Sequence, residues 1–455
     1  MLEYYYTLVM LASFGGMLLY SHSIPAALLS LYITYWFFPQ GINVIGTNIG
    51  FLSLLGAAEI VYFVYFYYSV LKEDDDKTLI HKTLSYVFGI CAFYLLIALL
   101  STEMPFVSQI NSIKHFVFYS FNIIIAASCL SNKRVLICIC HFVILLITVS
   151  GVYGFYTYMI QFNPFAELVV ATNDIWGDQG MDINYLETER GFLHGRISGL
   201  TVHPLLYGGV LVLCFFLLLS YYGKIKYKFE KSFLFLFFAF CLSLIVLTGS
   251  RSILIGLFCG LFYYFFKVYP QKTLRLSLFV VLAFFFFGLS IEDEYIRSIL
   301  FFWEENDEIK GSSTSMRFDQ IGSALDVISN DFQSLLFGFG RGWSTQYTMK
   351  YGNVPPFQGF EGLFIYSFVE FGVLGTFLYL FAVFIPLYKL NVQFVKEDQA
   401  RWLINAFLLS GFVIYIFTGH SYGQWLYLVL FFLLIRFSSP TENVDEDSKL
   451  QEQQQ

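Results

Sequence analysis

The chain has 455 residues, of which 57% are hydrophobic and only 13% are charged, and its mean hydropathy is +0.65. Apolar stretches long enough to cross a bilayer recur along it, which excludes an ordinary soluble globular protein. The net charge is −7 and no basic, aromatic-interleaved surface is evident, which argues against a nucleic-acid partner. The sequence therefore predicts an all-α polytopic membrane protein that is in contact with membrane lipids.

About 12–13 transmembrane helices are predicted from the apolar stretches. The predicted spans are 3–20, 24–38, 50–71, 84–100, 113–130, 135–160, 200–222, 232–248, 252–267, 276–290, 360–388, 402–419 and 424–437. The first two are the weakest, so twelve spans are an alternative. The N-terminus lacks the basic leader of a cleavable signal peptide.

Two long polar segments divide the spans into groups. The predicted organisation is N-terminal helices in 1–160, a first extracytoplasmic loop in 161–199, central helices in 200–290, a larger, partly helical extracytoplasmic loop in 291–359, C-terminal helices in 360–437 and a disordered cytoplasmic tail in 438–455. The short connections contain fifteen of the 26 lysines and arginines, which predicts that they face the cytoplasm. These connections are 72–83, 131–134, 223–231, 267–275 and 389–401.

Six of the ten arginines nevertheless fall on the opposite, outer side. They are Arg190, Arg196, Arg251, Arg297, Arg317 and Arg341. Arginines on the side that basic residues usually avoid suggest an anionic ligand such as a phosphate, to which a guanidinium makes bidentate contacts. The alternative is that long loops are translocated whatever their charge. That alternative explains Arg190 and Arg297 better than Arg196 and Arg251, which lie at span ends beside glycines.

The first outer loop carries Trp176 and ends in a segment that contains Arg196 and His203. Trp176 is a candidate sugar contact, although a solvated loop explains it equally well. Arg196 is the stronger candidate, because a guanidinium at the membrane boundary needs an anionic partner. His203 is a weaker candidate for the sugar, and capping of the following helix is the favoured alternative.

The residues Gly249, Ser250 and Arg251 join two rather short spans. A turn of small residues lets backbone N–H groups and Arg251 face the same anion, and the dipole of the following helix adds to the attraction. An equally supported alternative is a tight helical hairpin whose arginine reaches a lipid headgroup.

The second outer loop predicts a surface helix followed by a glycine-rich turn. Apolar residues recur at helical spacing at Met316, Phe318, Ile321, Leu325 and Ile328, and Arg317 lies at the start of this pattern. The glycine-rich turn spans 337–343 and contains Arg341. Arg317 and Arg341 are both candidate ligands of the anion.

The loop closes with two glutamates, Glu361 and Glu370, which enter an apolar segment about two and a half helical turns apart. They lie on different faces unless the helix breaks. An ionisable group at that depth is a functional hypothesis, here proton transfer or, for Glu370, a sugar contact. The alternative is that each glutamate pairs with an arginine for structure.

All seven cysteines fall inside apolar spans, where they are expected to be plain hydrophobic residues. No Cys/His cluster, phosphate-binding loop or dinucleotide fingerprint is present in the sequence. The sequence thus predicts neither a cofactor nor a metal ligand.

Four features occur in an order that resembles the O-antigen ligase and O-antigen polymerase superfamily of bacterial membrane glycosyltransferases. They are the arginine-containing entry at 196–204, the Gly-Ser-Arg hairpin at 249–251, one large late outer loop and the Gly-x-Gly turn at 338–340. The resemblance extends over most of the chain. It implies an inner-membrane enzyme whose active site faces the periplasm.

One departure from the family pattern separates its two branches. Counting back from Gly372 and Gly375, the histidine of the ligases is replaced here by Glu361, and its small polar neighbour is Gly362. The resemblance therefore favours the polymerase branch. A carboxylate at this position would take the place of the imidazole as general base.

The resemblance implies a reaction on glycans carried by polyprenyl pyrophosphate. A hydroxyl of a new repeat unit attacks the anomeric carbon of the growing glycan, and polyprenyl pyrophosphate leaves. Arg196, Arg251, Arg317 and Arg341 would bind the pyrophosphate, Glu361 would accept the proton, and no metal would be needed. A chain-length regulator protein is a possible partner. The alternatives are a ligase that transfers finished glycan and a flippase of lipid-linked oligosaccharides.

Overall fold

The computed structural model describes residues 2–38, 51–70, 74–128, 133–165, 196–201, 203–272, 314–344, 346–347, 362–418 and 424–438. These residues form helices joined by short turns, and no strand is found among them. The helices, numbered in chain order, are α1 (Leu2–Ser21), α2 (Ile24–Phe37), α3 (Phe51–Val70), α4 (Asp74–Leu100), α5 (Phe106–Ser128), α6 (Lys133–Ile160), α7 (Pro204–Lys224), α8 (Lys228–Leu247), α9 (Arg251–Val268), α10 (Thr314–Ile328), α11 (Phe332–Phe337), α12 (Leu363–Phe394), α13 (Asp398–Thr418) and α14 (Gln424–Ser438).

Seven described helices are long and apolar enough to cross a membrane, and they are α4, from Thr78 onward, α6, α7, α8, α9, α12 and α13. Shorter apolar stretches lie in α2, α3, α5 and α14. Each predicted span that falls on described residues coincides with a helix, and most of the predicted ends lie within a few residues of the observed ones. The predicted span 276–290 lies outside the described residues. The prediction of an all-α polytopic membrane protein is confirmed.

Contacts at one end of the bundle join three of the connections predicted to be cytoplasmic. Lys224 forms an ion pair with Glu397 at 3.2 Å. Lys82, in α4, donates a hydrogen bond to Gln393 near the end of α12. The connections 72–83, 223–231 and 389–401 therefore meet at the same end, as the predicted alternation of spans requires.

Small residues let the helices α9 and α13 pack closely. A Cβ atom added to Gly256 would lie 3.0 Å from the carbonyl oxygen of Ser410, and one added to Gly260 would lie 2.8 Å from that of Ala406. Such spacing of small residues is a common way for membrane helices to approach. It fixes α9, and with it the turn at its start, within the bundle.

The opposite end of the bundle carries the helices α10 and α11. The predicted amphipathic helix is confirmed as α10, Thr314–Ile328. A small apolar core joins this region to the first half of α12 and includes Ala324, Ile328, Phe339, Ile365 and Val369. The segment that contains α10 and α11 is therefore packed onto a membrane helix.

Candidate functional site

The first group of predicted site residues meets at the turn 248–250, between α8 and α9. Arg196 is 8% exposed, and its Nε donates to the carbonyl oxygen of Thr248 at 2.9 Å. Its Nη2 donates to Ser250 Oγ, also at 2.9 Å. The backbone beside it is fixed as well, because the N–H of Ile197 donates to the carbonyl of Leu247 at 2.9 Å. Arg196 thus satisfies acceptors that the end of α8 would leave unpaired.

Arg251 is the first residue of α9, directly after this turn. Gly249 turns the chain with φ 62°, a conformation that glycine adopts without steric cost. The turn brings Arg251 and the buried Arg196 to the positive end of one helix dipole. Two cations at a helix N-terminus repel each other and the dipole, and an anion bound there would relieve both effects.

His203 lies beside Arg196 and caps α7. Its Nδ1 accepts a hydrogen bond from the N–H of Leu205 at 3.2 Å, which confirms the expectation that it caps a helix. Burial, together with the nearby charge of Arg196, lowers the pKa of His203 to about 4. The imidazole is therefore neutral at neutral pH, and it adds no third cation. Its proposed contact with a sugar stays a prediction.

Polar residues of α6 and of the segment after it support the 196–203 segment from behind. Ser150 Oγ accepts a hydrogen bond from the N–H of Leu200 at 3.3 Å. Asn163 donates to Ser198 Oγ at 3.3 Å and accepts from Tyr153 at 2.9 Å. These residues were not predicted from the sequence, since a single serine or tyrosine inside an apolar span has no distinctive spacing.

The second group of predicted residues meets where the glycine turn, residues 338–344, lies against a break in α12. The break is at Gly372, which has φ 68° and ψ −178° within an otherwise continuous helix. The backbone N–H of Phe339 donates a hydrogen bond to the carbonyl oxygen of Val369 at 2.9 Å, and that of Gly340 donates one to the carbonyl oxygen of Glu370 at 3.1 Å. The glycine turn therefore pairs carbonyl groups that the broken helix leaves open.

Close backbone contact explains the glycines on both sides of this junction. A Cβ atom on Gly338 would lie 2.5 Å from the carbonyl carbon of Glu370. One on Gly372 would lie 2.3 Å from that of Leu336. Both residues also have positive φ. Space and backbone conformation each require glycine here.

Glu370 is completely buried and holds the glycine turn through its side chain. Its Oε1 accepts hydrogen bonds from Gly342 N at 2.8 Å and from Ser344 Oγ at 2.6 Å. Arg341 and Glu370 also attract each other electrostatically. The alternative, a glutamate paired with an arginine for structure, and the proposed sugar contact of Glu370 both stay predictions.

Arg341 is anchored between the glycine turn and the helices α4 and α5. Its guanidinium carbon lies 3.9 Å from the centre of the Tyr94 ring, a cation–π contact, and its backbone N–H donates to Gln109 Oε1 at 3.2 Å. Among the described residues, Nη1 is buried without a hydrogen-bond partner. Tyr94 and Gln109 were not predicted as parts of the site, because nothing in their local sequence links them to residue 341.

The remaining predicted residues are described in part or not at all. Arg317 belongs to α10, of which the backbone is described at that position. Trp176 and Glu361 lie outside the described residues. Within the described part of the chain, no group of three or more His, Cys, Asp or Glu side chains is placed to hold a metal ion. Metal independence of the reaction stays a prediction.

The fold and these two groups of residues define a multi-pass membrane protein with a buried arginine, Arg196, and two partly buried ones, Arg251 and Arg341. Residues 235–380, about a third of the chain, match the family model of O-antigen ligase, which supports the resemblance to the O-antigen ligase and polymerase superfamily. The matched stretch contains Arg251, Arg341 and Glu370, whereas Arg196 and His203 precede it. It does not distinguish polymerases from ligases. No curated protein matches the chain.

Proposed function

We propose that the chain is a polysaccharide polymerase that joins oligosaccharide repeat units carried on polyprenyl pyrophosphate at the outer face of the bacterial inner membrane. The observation that carries this proposal is the meeting of Arg196 and Arg251 at the N-terminus of α9. These arginines are 55 positions apart in the sequence, with the helices α7 and α8 between them, yet both lie at one turn of small residues. A pyrophosphate is the anion that the family's substrates would bring to such a turn.

The proposed chemistry requires charge stabilisation on the leaving group. When the anomeric C–O bond of the donor glycan breaks, the bonding electrons stay with the pyrophosphate oxygen, and negative charge grows there. Fixed guanidinium groups stabilise that charge without reorganising during the reaction. Arg196 is fixed by two hydrogen bonds to the protein, which supports this role. Arg317 and Arg341 are proposed as further contacts of the pyrophosphate.

The attacking hydroxyl group must lose its proton as the new glycosidic bond forms. Glu361 is proposed as the base, because it stands where the ligases carry a histidine. The proton passes to its carboxylate, the acceptor oxygen joins the anomeric carbon, and polyprenyl pyrophosphate departs. No redox step or nucleotide cofactor is required, since the lipid–sugar bond itself is activated.

A ligase that transfers finished glycan to another acceptor is the second candidate. It is favoured by one observation, namely that the matched family model is described as O-antigen ligase. The exchange of histidine for Glu361 favours the polymerase.

The test is a gel profile of surface glycan and of lipid-linked intermediates after deletion of the gene. A polymerase deletion should leave single repeat units at the surface, and a ligase deletion should leave long polymer on the carrier lipid. Complementation with Arg251→Ala and Glu361→Gln should fail at normal protein levels. Arg134→Ala, an exposed arginine at the start of α6, should restore the wild-type profile. An unchanged profile after deletion would refute both functions.

A further inference from the structure

An open cleft lies between the turn that follows α4 and the α10–α11 segment. Its volume is about 390 Å³, within the range of small-molecule sites. Its lining includes Thr102, Glu103, Asn330, Asp331, Trp343 and Tyr347. The proposed reaction assigns no role to any of these residues.

One wall of the cleft is an aromatic ladder. The ring centres of Phe339 and Trp343 are 4.8 Å apart, and those of Trp343 and Tyr347 are 4.7 Å apart with an interplanar angle of 24°. Phe339 is buried, whereas Trp343 and Tyr347 are partly exposed. Stacking fixes the ring of Trp343, so the wall offers a flat apolar surface at little entropic cost.

The opposite wall is polar and rigid. Thr102 Oγ1 and Ser334 Oγ are 2.8 Å apart. Asp331 caps α11 by accepting from the N–H of Ser334 at 3.0 Å. Glu103 accepts a hydrogen bond from Trp343 Nε1 at 2.5 Å, which joins the two walls. Thr102, Glu103, Asn330 and Asp331 are all exposed.

The charges of the cleft restrict the kind of ligand. Two carboxylates line it, and its described lining contains no lysine or arginine. This described lining favours an uncharged ligand over a phosphate. Carboxylate and amide groups opposite an aromatic face suit a ring that has hydroxyl groups at its edge and C–H groups on its face. That combination is the chemistry of a neutral sugar.

We propose that this cleft binds a neutral sugar residue of the glycan, stacked on Tyr347 and hydrogen-bonded to Asn330 and the neighbouring carboxylates. The proposal deepens the proposed function, and rests on it for the identity of the glycan. The glycine turn links the cleft to Arg341, because Phe339 and Trp343 line the cleft while Arg341 of the same turn contacts Tyr94. A sugar in the cleft would thus be positioned by the segment that also holds Arg341.

The test is calorimetric titration of the full chain in lipid nanodiscs. The probe is the oligosaccharide repeat unit released by mild acid from the carrier lipid of the same cells. Tyr347→Ala and Asn330→Ala should each weaken binding by about tenfold, as expected for the loss of a stacking surface or of a hydrogen bond to the sugar. Tyr347→Phe retains the ring and should bind as the wild type does. Phe332→Ala removes a 74% exposed aromatic residue of α11 that does not line the cleft, and it should have no effect.

Wild-type affinity in both Tyr347→Ala and Asn330→Ala would overturn the proposal, and so would absence of saturation by the wild type up to about 10 mM probe. Neither result would affect the gel profile that tests the proposed function. Conversely, Arg251→Ala should bind the free oligosaccharide normally while it fails to restore the polymer. If deletion of the gene left the profile unchanged, weakened binding in both cleft variants would still support a sugar site.

Discussion

Replacement of Glu370 by alanine should release the glycine turn from α12. The carboxylate accepts two hydrogen bonds at Oε1, from Gly342 N at 2.8 Å and Ser344 Oγ at 2.6 Å, in a fully buried position. Each donor left unpaired in such a place costs about 1–3 kcal/mol, so we expect the free energy of unfolding to fall by about 2–6 kcal/mol. Loss of the charge that faces Arg341 adds to this effect.

Thermal unfolding of the full chain in nanodiscs would measure the effect, with Glu370→Gln as the matched variant. Glutamine keeps an oxygen that can accept both hydrogen bonds, but it removes the charge and places an NH2 group at the buried position of Oε2. We therefore expect Glu370→Gln to melt between the wild type and Glu370→Ala. Equal melting temperatures for Glu370→Ala and the wild type would refute the argument that this side chain holds the turn.

Three further predictions concern the backbone, the pH dependence and the anion site. Gly372→Ala should lower the free energy of unfolding by about 2–5 kcal/mol in the same melting assay, because φ is 68° and the added Cβ would lie 2.3 Å from the carbonyl carbon of Leu336. In Gly89→Ala, the control, the added Cβ meets nothing within 4 Å, and stability should not fall. Equal losses in the two variants would contradict the steric argument. His203 has a pKa of about 4 when folded and about 6.5 when unfolded, so the unfolded chain alone gains a proton between these values. Stability should therefore fall by up to about 3 kcal/mol from pH 6.5 to pH 4, and His203→Gln should flatten that slope; an unaltered slope would exclude this residue as its source. Arg251→Lys keeps the charge but not the planar fork, so polymer output on gels should drop, and unchanged output would exclude bidentate binding.

The sequence alone determined the membrane class of the protein and the existence of each described membrane helix, although the ends of α4, α5 and α12 differ from the prediction by six to ten residues. The length and apolar character of a span are local properties, and each described span was therefore recognisable from its own residues. The surface helix α10 was predicted in the same way, from the spacing of Ile321, Leu325 and Ile328. The position of Arg251 beside Gly249 was also readable, since a turn and the start of a helix involve adjacent residues.

Only the tertiary structure decided which of these residues meet. Arg196 contacts Thr248 and Ser250. The glycine turn pairs with the break in α12 at Gly372, and the apolar sequence before Gly372 does not indicate that break. Membrane helices are apolar on all sides, so their hydrophobic pattern does not specify their neighbours. Close packing at small residues and long-range hydrogen bonds select the partners instead. For that reason the contacts of Arg341 with Tyr94 and Gln109 could be recognised only in the tertiary structure.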